Sequence, residues 1–153
     1  MTVYRIAKSE LRAEDLSGIG AFKYGGRWNS KGIYMLYTSM NSSLAFLENL
    51  VHFDEVNLPP HLFIAAIEVN DDQSIYELPD NKYPATWQMQ DNLENKLLGD
   101  QWMLTKKFLA VKVRSAVNPS EFNFLFNPLY PGYHDNLTIQ SIKPISLDAR
   151  LVR

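Results

Sequence analysis

No segment of this chain holds one apolar period for long, and that limits its fold more than any other feature. Residues 3–6, 33–38, 63–69 and 108–113 read as short strands, and the third alternates Phe63, Ala65, Ile67 and Val69 on one face. Residues 74–78 and 137–147 add further strand candidates. The clearest helical pattern covers residues 42–53. Asn41, Ser42 or Ser43 can cap it, and Leu44, Leu47, Leu50 and Val51 form its stripe. Residues 9–16 read as a helical turn capped by Ser9 and ended by Gly18 and Gly20. Residues 91–98 and 100–106 read as two helices broken at Gly99. Strands and isolated helices mixed without a βαβ rhythm predict an α+β fold. The expectation is a single compact domain over residues 1–153, with short mixed or antiparallel sheets and peripheral helices.

Charge and composition narrow the function. With a net charge of −2 over 153 residues, the chain has no general attraction for nucleic acid or an anionic membrane. Any anion-binding role must come from a few local arginines. The chain has no cysteine, which excludes disulfides, thiolate nucleophiles and zinc–thiolate sites and makes the cytoplasm the expected compartment. Residues 1–5 read as strand rather than as a signal peptide, and no run approaches the ~20 apolar residues of a membrane span.

Several residues can carry chemistry. The block Gly25-Gly26-Arg27-Trp28-Asn29 sets a guanidinium beside glycines that let a backbone turn or approach closely. Arg27 either stacks on an aromatic ring or clamps a phosphate or carboxylate with its planar fork. Without the Lys-Ser/Thr ending of a P-loop, the block is not a nucleotide-binding loop of that type. Glu48 lies at the border of the apolar helix stripe. A carboxylate there is either an ordinary charged border or a half-desolvated group with strengthened electrostatics. Arg5, in the first strand, faces solvent or points inward toward an anion. Ser115 is either a hydrogen-bond donor at a strand end or a turn serine. Asn127, before Pro128, carries a turn signal. Trp87 and Trp102 read as core. The three histidines have neither metal nor triad spacing, so no metal site is expected.

The order of these residues resembles a known family. Tyr4-Arg5, Gly25-Gly26-Arg27-Trp28-Asn29, Tyr37-x-Ser39 and Leu44-Ala45-x-x-Glu48 are similar to the RES domain, named for its Arg, Glu and Ser. Ser115-Ala116, Glu121-x-Asn123-x-x-x-Asn127-Pro128 and Asp148-x-Arg150-Leu151 continue the match. The resemblance implies an α+β fold related to ADP-ribosyltransferases. It also implies a toxin that destroys NAD, held inactive by an Xre-type helix-turn-helix antitoxin that blocks its active site. A hetero-oligomer around a toxin dimer is the expected assembly. Carried over by position, Arg27, Tyr37 and Glu48 would be catalytic, and Arg5, Gly26, Arg27, Tyr37, Ser115 and Asn127 would bind NAD, with Tyr37 offering its ring to nicotinamide and its hydroxyl to the ribose or Glu48. The family usually has proline before the serine, where this chain has Arg114.

That chemistry suits a site with one obvious carboxylate. Breaking the nicotinamide–ribose bond passes through an oxocarbenium-like state, as in glycoside hydrolysis, but the leaving pyridinium departs neutral. No second carboxylic acid is needed to protonate it. NAD would be a substrate, with no prosthetic group required. Water or phosphate as acceptor gives NAD degradation, and a protein side chain gives ADP-ribosylation. The reading from a different class is a non-catalytic interaction module built on its Trp and Arg residues.

Overall fold

The computed structural model describes residues 1–52, 59–70 and 74–151. Seven strands build one sheet: β1 (Thr2–Ala7), β2 (Leu36–Ser39), β3 (Leu62–Val69), β4 (Ile75–Glu77), β5 (Ala110–Arg114), β6 (Phe122–Phe126) and β7 (Leu137–Ile145). Their order is β4-β5-β6-β2-β1-β3-β7. Among the described residues only the β4–β5 pair is parallel, so the sheet is mixed. Among the described residues the helices are α1 (Glu10–Glu14), α2 (Ile19–Tyr24), α3 (Ser42–Leu50), α4 (Leu93–Thr105) and α5 (Tyr133–Asn136). The expected α+β class and single domain architecture hold, with the short sheets merged into one. The helix expected over residues 42–53 ends earlier, at Leu50, with Val51 as its C-cap; Phe53 lies outside the described residues.

Alternation along the central strands gives the sheet two apolar faces. Leu36, Phe124, Phe126 and Ala110 join Val3, Ala65, Ile67 and Tyr133 on one side. On the other, Leu125, Val111 and Val113 pack with Trp28, Met35, Trp102 and Met103. Trp102 is buried as expected, while Trp87 sits half-buried in the turns before α4 and stacks near Trp28, with ring centroids 6.3 Å apart.

Local expectations fail at glycines. Gly20 does not end a helix but lies inside α2, whose start is Gly18 in the left-handed region at φ 74°. Gly99 does not break α4, which runs through it. A side chain there does not fit unless the Trp28 backbone moves. An added Cβ would lie 1.6 Å from the Trp28 carbonyl oxygen, so glycine lets α4 lie directly on the glycine block. The Asp100 carboxylate, next in that helix, accepts the Ser30 amide at 2.8 Å and fastens the two together.

Two caps set the helices that matter most for the cleft. Ser9 accepts the Arg12 amide at the start of α1, and Asn41 accepts the Leu44 amide at the start of α3. In α3 only Leu44 and Ala45 are buried. The apolar stripe is narrower than its sequence suggests, since Val51 is 54% exposed and stands at the mouth of a cleft.

Candidate active site

β1 makes six register pairs with β3 but meets β2 at one, Tyr4 opposite Ser39. Where the two central strands part, a cleft of about 780 Å³ opens. Tyr4 and Arg5 from β1, Tyr37 and Ser39 from β2, Gly26 and Arg27 from the glycine block, and Glu48 from α3 all line it. Five basic and three acidic side chains surround it, reversing the sign of the whole chain's charge of −2. The cleft thus attracts anions although the chain as a whole does not.

The polar end of the cleft continues the second apolar face. In register, Tyr37 lies opposite Leu125, which lies opposite Val111. One step along each strand's face, Ser39 lies opposite Asn123, which lies opposite Val113. The row thus changes from Leu125 and Val113 to Ser39, Asn123 and, just past the end of β5, Ser115. Glu48 is lowered onto these polar groups by α3. Its Oε1 accepts from Ser115 Oγ at 2.6 Å and from Asn123 Nδ2 at 2.7 Å. Glu121 ties the supports together, since its carboxylate accepts from Asn41 Nδ2 at 2.6 Å and from Asn118 Nδ2 at 3.1 Å. The same residue therefore holds the start of Glu48's helix and the turn that follows Ser115.

Tyr37 is bound into the glycine block. Its hydroxyl donates to Asn29 Oδ1 at 2.7 Å and accepts the Trp28 amide at 3.0 Å. A Cβ on Gly26 would meet that hydroxyl at 2.6 Å, so glycine makes room for the contact. Burial pushes the phenol well above its ordinary pKa, so it stays neutral and keeps donating. Asn29 is wholly buried, and its Nδ2 donates to the carbonyls of Ala21, Ser30 and Ile33. The Tyr37 hydroxyl expected to meet Glu48 or a ribose is thus committed elsewhere, which leaves the ring to line the cleft.

Arg27 and Arg5 share one device: each is tethered through a single nitrogen. Arg27 Nη1 donates to the carbonyls of Trp87 at 3.1 Å and Met89 at 3.0 Å. Arg5 Nη1 donates to the carbonyls of Arg12, Ala13 and Asp15, closing the end of α1. Desolvation lowers the Arg5 guanidinium's pKa from its ordinary value, partly offset by Asp15 and Tyr133. Among the described residues, neither guanidinium forms an ion pair, and the remaining nitrogens of both forks make no hydrogen bond. Arg27 does not stack on Trp28. That ring packs instead against Trp102, with centroids 5.6 Å apart, and edge-on to Tyr83.

Two expected substrate contacts lie off the cleft. Ser115 is fully buried behind Glu48. Its Oγ accepts the amides of Val117 and Asn118 while donating to Glu48, so both readings of this serine, donor and turn residue, hold together. Arg114, where proline was expected, anchors β5 outward through Asp80 at 2.8 Å and the Pro119 carbonyl at 2.7 Å. Asn127 is buried as well. It donates to the Met103 carbonyl at 2.9 Å and accepts the Leu129 amide, so it is the turn residue its Pro128 suggested. Asn29, Ser39 and Asn123 sit within the quoted motifs, yet their roles arise only from cross-strand and loop contacts. Among the described residues no group of three or more His, Asp or Glu side chains is placed to hold a metal ion, and no helix is long and apolar enough to cross a membrane.

Known proteins share this chain's sequence pattern and fold. The RES domain family profile matches residues 2–148. A Yersinia enterocolitica protein named Toxin Res is 32% identical over 154 residues, covering 99% of both chains. A Sphingobium protein named Prs ADP-ribosylating toxin is 31% identical over 144 residues, covering 92% of this chain and 89% of its own. A chain of the M. tuberculosis MbcT–MbcA toxin–antitoxin complex superposes with a TM-score of 0.75 over 95% of this chain and 84% of that one. At 16% identity that likeness is one of fold. This chain belongs to the RES domain family.

Proposed function

We propose that this chain is the toxin of a toxin–antitoxin pair and that it cleaves the nicotinamide–ribose bond of NAD, emptying the cell's NAD pool. The observation that carries the reading is a carboxylate fixed by two donors, Ser115 and Asn123, in a cleft that also presents two singly tethered arginines. Relatives named Toxin Res, and the fold shared with a chain of a toxin–antitoxin complex, support the same reading.

The chemistry follows from the charges. NAD carries a diphosphate and a pyridinium ribose, and the cleft carries guanidinium groups and a carboxylate. Free nitrogens of Arg27 and Arg5 bind the diphosphate through charge-assisted hydrogen bonds worth ~1.5–3 kcal/mol each. The Tyr37 ring provides a flat apolar surface for nicotinamide. As the C1′–N bond breaks, its electron pair goes to the nicotinamide nitrogen and positive charge grows on the ribose. Glu48 is positioned to stabilise that charge, an effect worth roughly 3–4 kcal/mol for a preorganised group. Water or phosphate then bonds to C1′ and releases its proton to solvent. The volume of about 780 Å³ falls within the ~300–1,000 Å³ of small-molecule sites.

Restraint in the cell falls to an Xre-type helix-turn-helix antitoxin that covers the cleft, in a hetero-oligomer around a toxin dimer. Induction of this chain alone should collapse intracellular NAD, and co-expression with the antitoxin should protect it. Stable NAD levels during induction of folded protein would contradict the proposal. A second reading, transfer of ADP-ribose to a protein, is favoured by the name of the Sphingobium relative. Adenylate-labelled NAD separates the two, because the label stays in small molecules in the first case and becomes protein-bound in the second.

A further inference from the structure

We propose that Asn123, locked by Ser39, is a positioning residue that divides the labour between the two oxygens of Glu48, holding Oε1 within the protein and leaving Oε2 for the reacting ribose. This rests on the NAD-cleaving reading and adds to it a residue and an atom. Ser39 and Asn123 are direct cross-strand partners on β2 and β6. Ser39 Oγ donates to Asn123 Oδ1 at 2.8 Å, which decides which end of the amide faces Glu48. Nδ2 is turned toward the carboxylate and donates to Oε1 at 2.7 Å. Ser115 is constrained in the same sense. Its oxygen accepts two backbone amides, at 3.2 and 3.0 Å, so its single proton is left for Glu48 Oε1 at 2.6 Å.

Two donors occupy the lone pairs of Oε1. Among the described residues, Oε2 receives no hydrogen bond. The oxygen with lone pairs to offer an oxocarbenium carbon or a ribose hydroxyl is therefore Oε2. Ser39, Asn123 and Glu48 all line the cleft, while Ser115 works from behind. A carboxylate held at one oxygen by donors from β6 and from the turn after β5 is restrained as charge develops, which is the preorganisation electrostatic catalysis requires.

A double-mutant cycle tests the assignment. Asn123→Ala should lower kcat for NAD cleavage by about ten- to a hundredfold with little change in KM, since the arginines are untouched. Ser39→Ala should act in the same direction and less strongly. On a Glu48→Gln background, Asn123→Ala should cost no more than about twofold, because its effect passes through the carboxylate. An equal loss on both backgrounds would make Asn123 a structural residue and overturn the proposal. A second measurement needs no activity: the side-chain amide resonance of Asn123 in nitrogen-15 spectra. It should shift on Glu48→Ala, and a resonance indifferent to that change would also overturn the proposal. If that resonance responds while the parent leaves NAD intact, the hydrogen-bond assignment stands and the NAD reading falls.

Discussion

The Tyr37 hydroxyl donates to Asn29 Oδ1 at 2.7 Å, and through this bond β2 holds the glycine block that carries Arg27. Because the same oxygen accepts the Trp28 amide, Tyr37→Phe would strand an acceptor and a donor at once. The expected cost is about 1–3 kcal/mol in urea unfolding at neutral pH, with the slope of the transition unchanged. A variant as stable as the parent would show that the bond does not hold the block.

The same phenol makes a prediction about alkaline solution. Burial raises the folded pKa of Tyr37, so its contribution to stability is fully present below the unfolded tyrosine value of about 10. Above that pH the unfolded chain releases the proton and the folded chain keeps it, so stability falls as pH rises. Tyr133, likewise buried, adds to the slope. Tyr37→Phe should flatten the decline between about pH 10 and 11.5, measured by denaturant midpoints. An unchanged slope would contradict the burial argument.

Glycines separate packing from propensity. Gly99→Ala would drive a methyl into the Trp28 carbonyl, 1.6 Å away, and should unfold the protein or leave it aggregated. Gly20→Ala meets nothing within 4 Å in a helical position and should be neutral or stabilising by about 0.5–1 kcal/mol. Comparing soluble yield and thermal midpoints of the two variants checks this. A folded, parent-like Gly99→Ala would mean that α4 does not lie on the glycine block.

These glycines also explain what was legible in the sequence. The alternation of residues 63–69 and the caps at Ser9 and Asn41 depend on local chemistry, and β3, α1 and α3 appear where they were expected. Helix α2 escaped notice because Gly18 and Gly20 look like terminators, although one begins the helix and the other lies within it. Gly99 looks like a break because its reason is a carbonyl some seventy residues earlier, which no local pattern records. The site divides in the same way. Arg27, Tyr37 and Glu48 follow from the order of motifs along the chain. The bond from Ser39 to Asn123 joins residues 84 apart and depends on strand register, which alternation alone does not define. Asn127 and Ser115 carry polar groups suited to a ligand, but burial commits both to the protein.

Arg27 should matter mainly for holding substrate. Arg27→Ala removes the free nitrogens that would meet a diphosphate, so KM for NAD should rise about ten- to a hundredfold. Arg27→Lys keeps the charge but loses the fork and should recover only part of that loss. Steady-state kinetics on both variants, with thermal midpoints to separate loss of the Trp87 and Met89 tethers, provides the check. Unchanged KM in a folded Arg27→Ala variant would remove Arg27 from the substrate site.

The central claim is that the Glu48 carboxylate, seated on Ser115 and Asn123, does the chemistry on NAD, and its charge is the quantity to alter. Glu48→Gln keeps the side chain's shape and removes that charge. NAD consumption by the purified parent and this variant, free of any antitoxin, is the most direct measurement. The parent should consume NAD, and the variant should do so about a hundred- to a thousandfold more slowly while still binding it. A folded Glu48→Gln protein consuming NAD at the parent's rate would contradict the account.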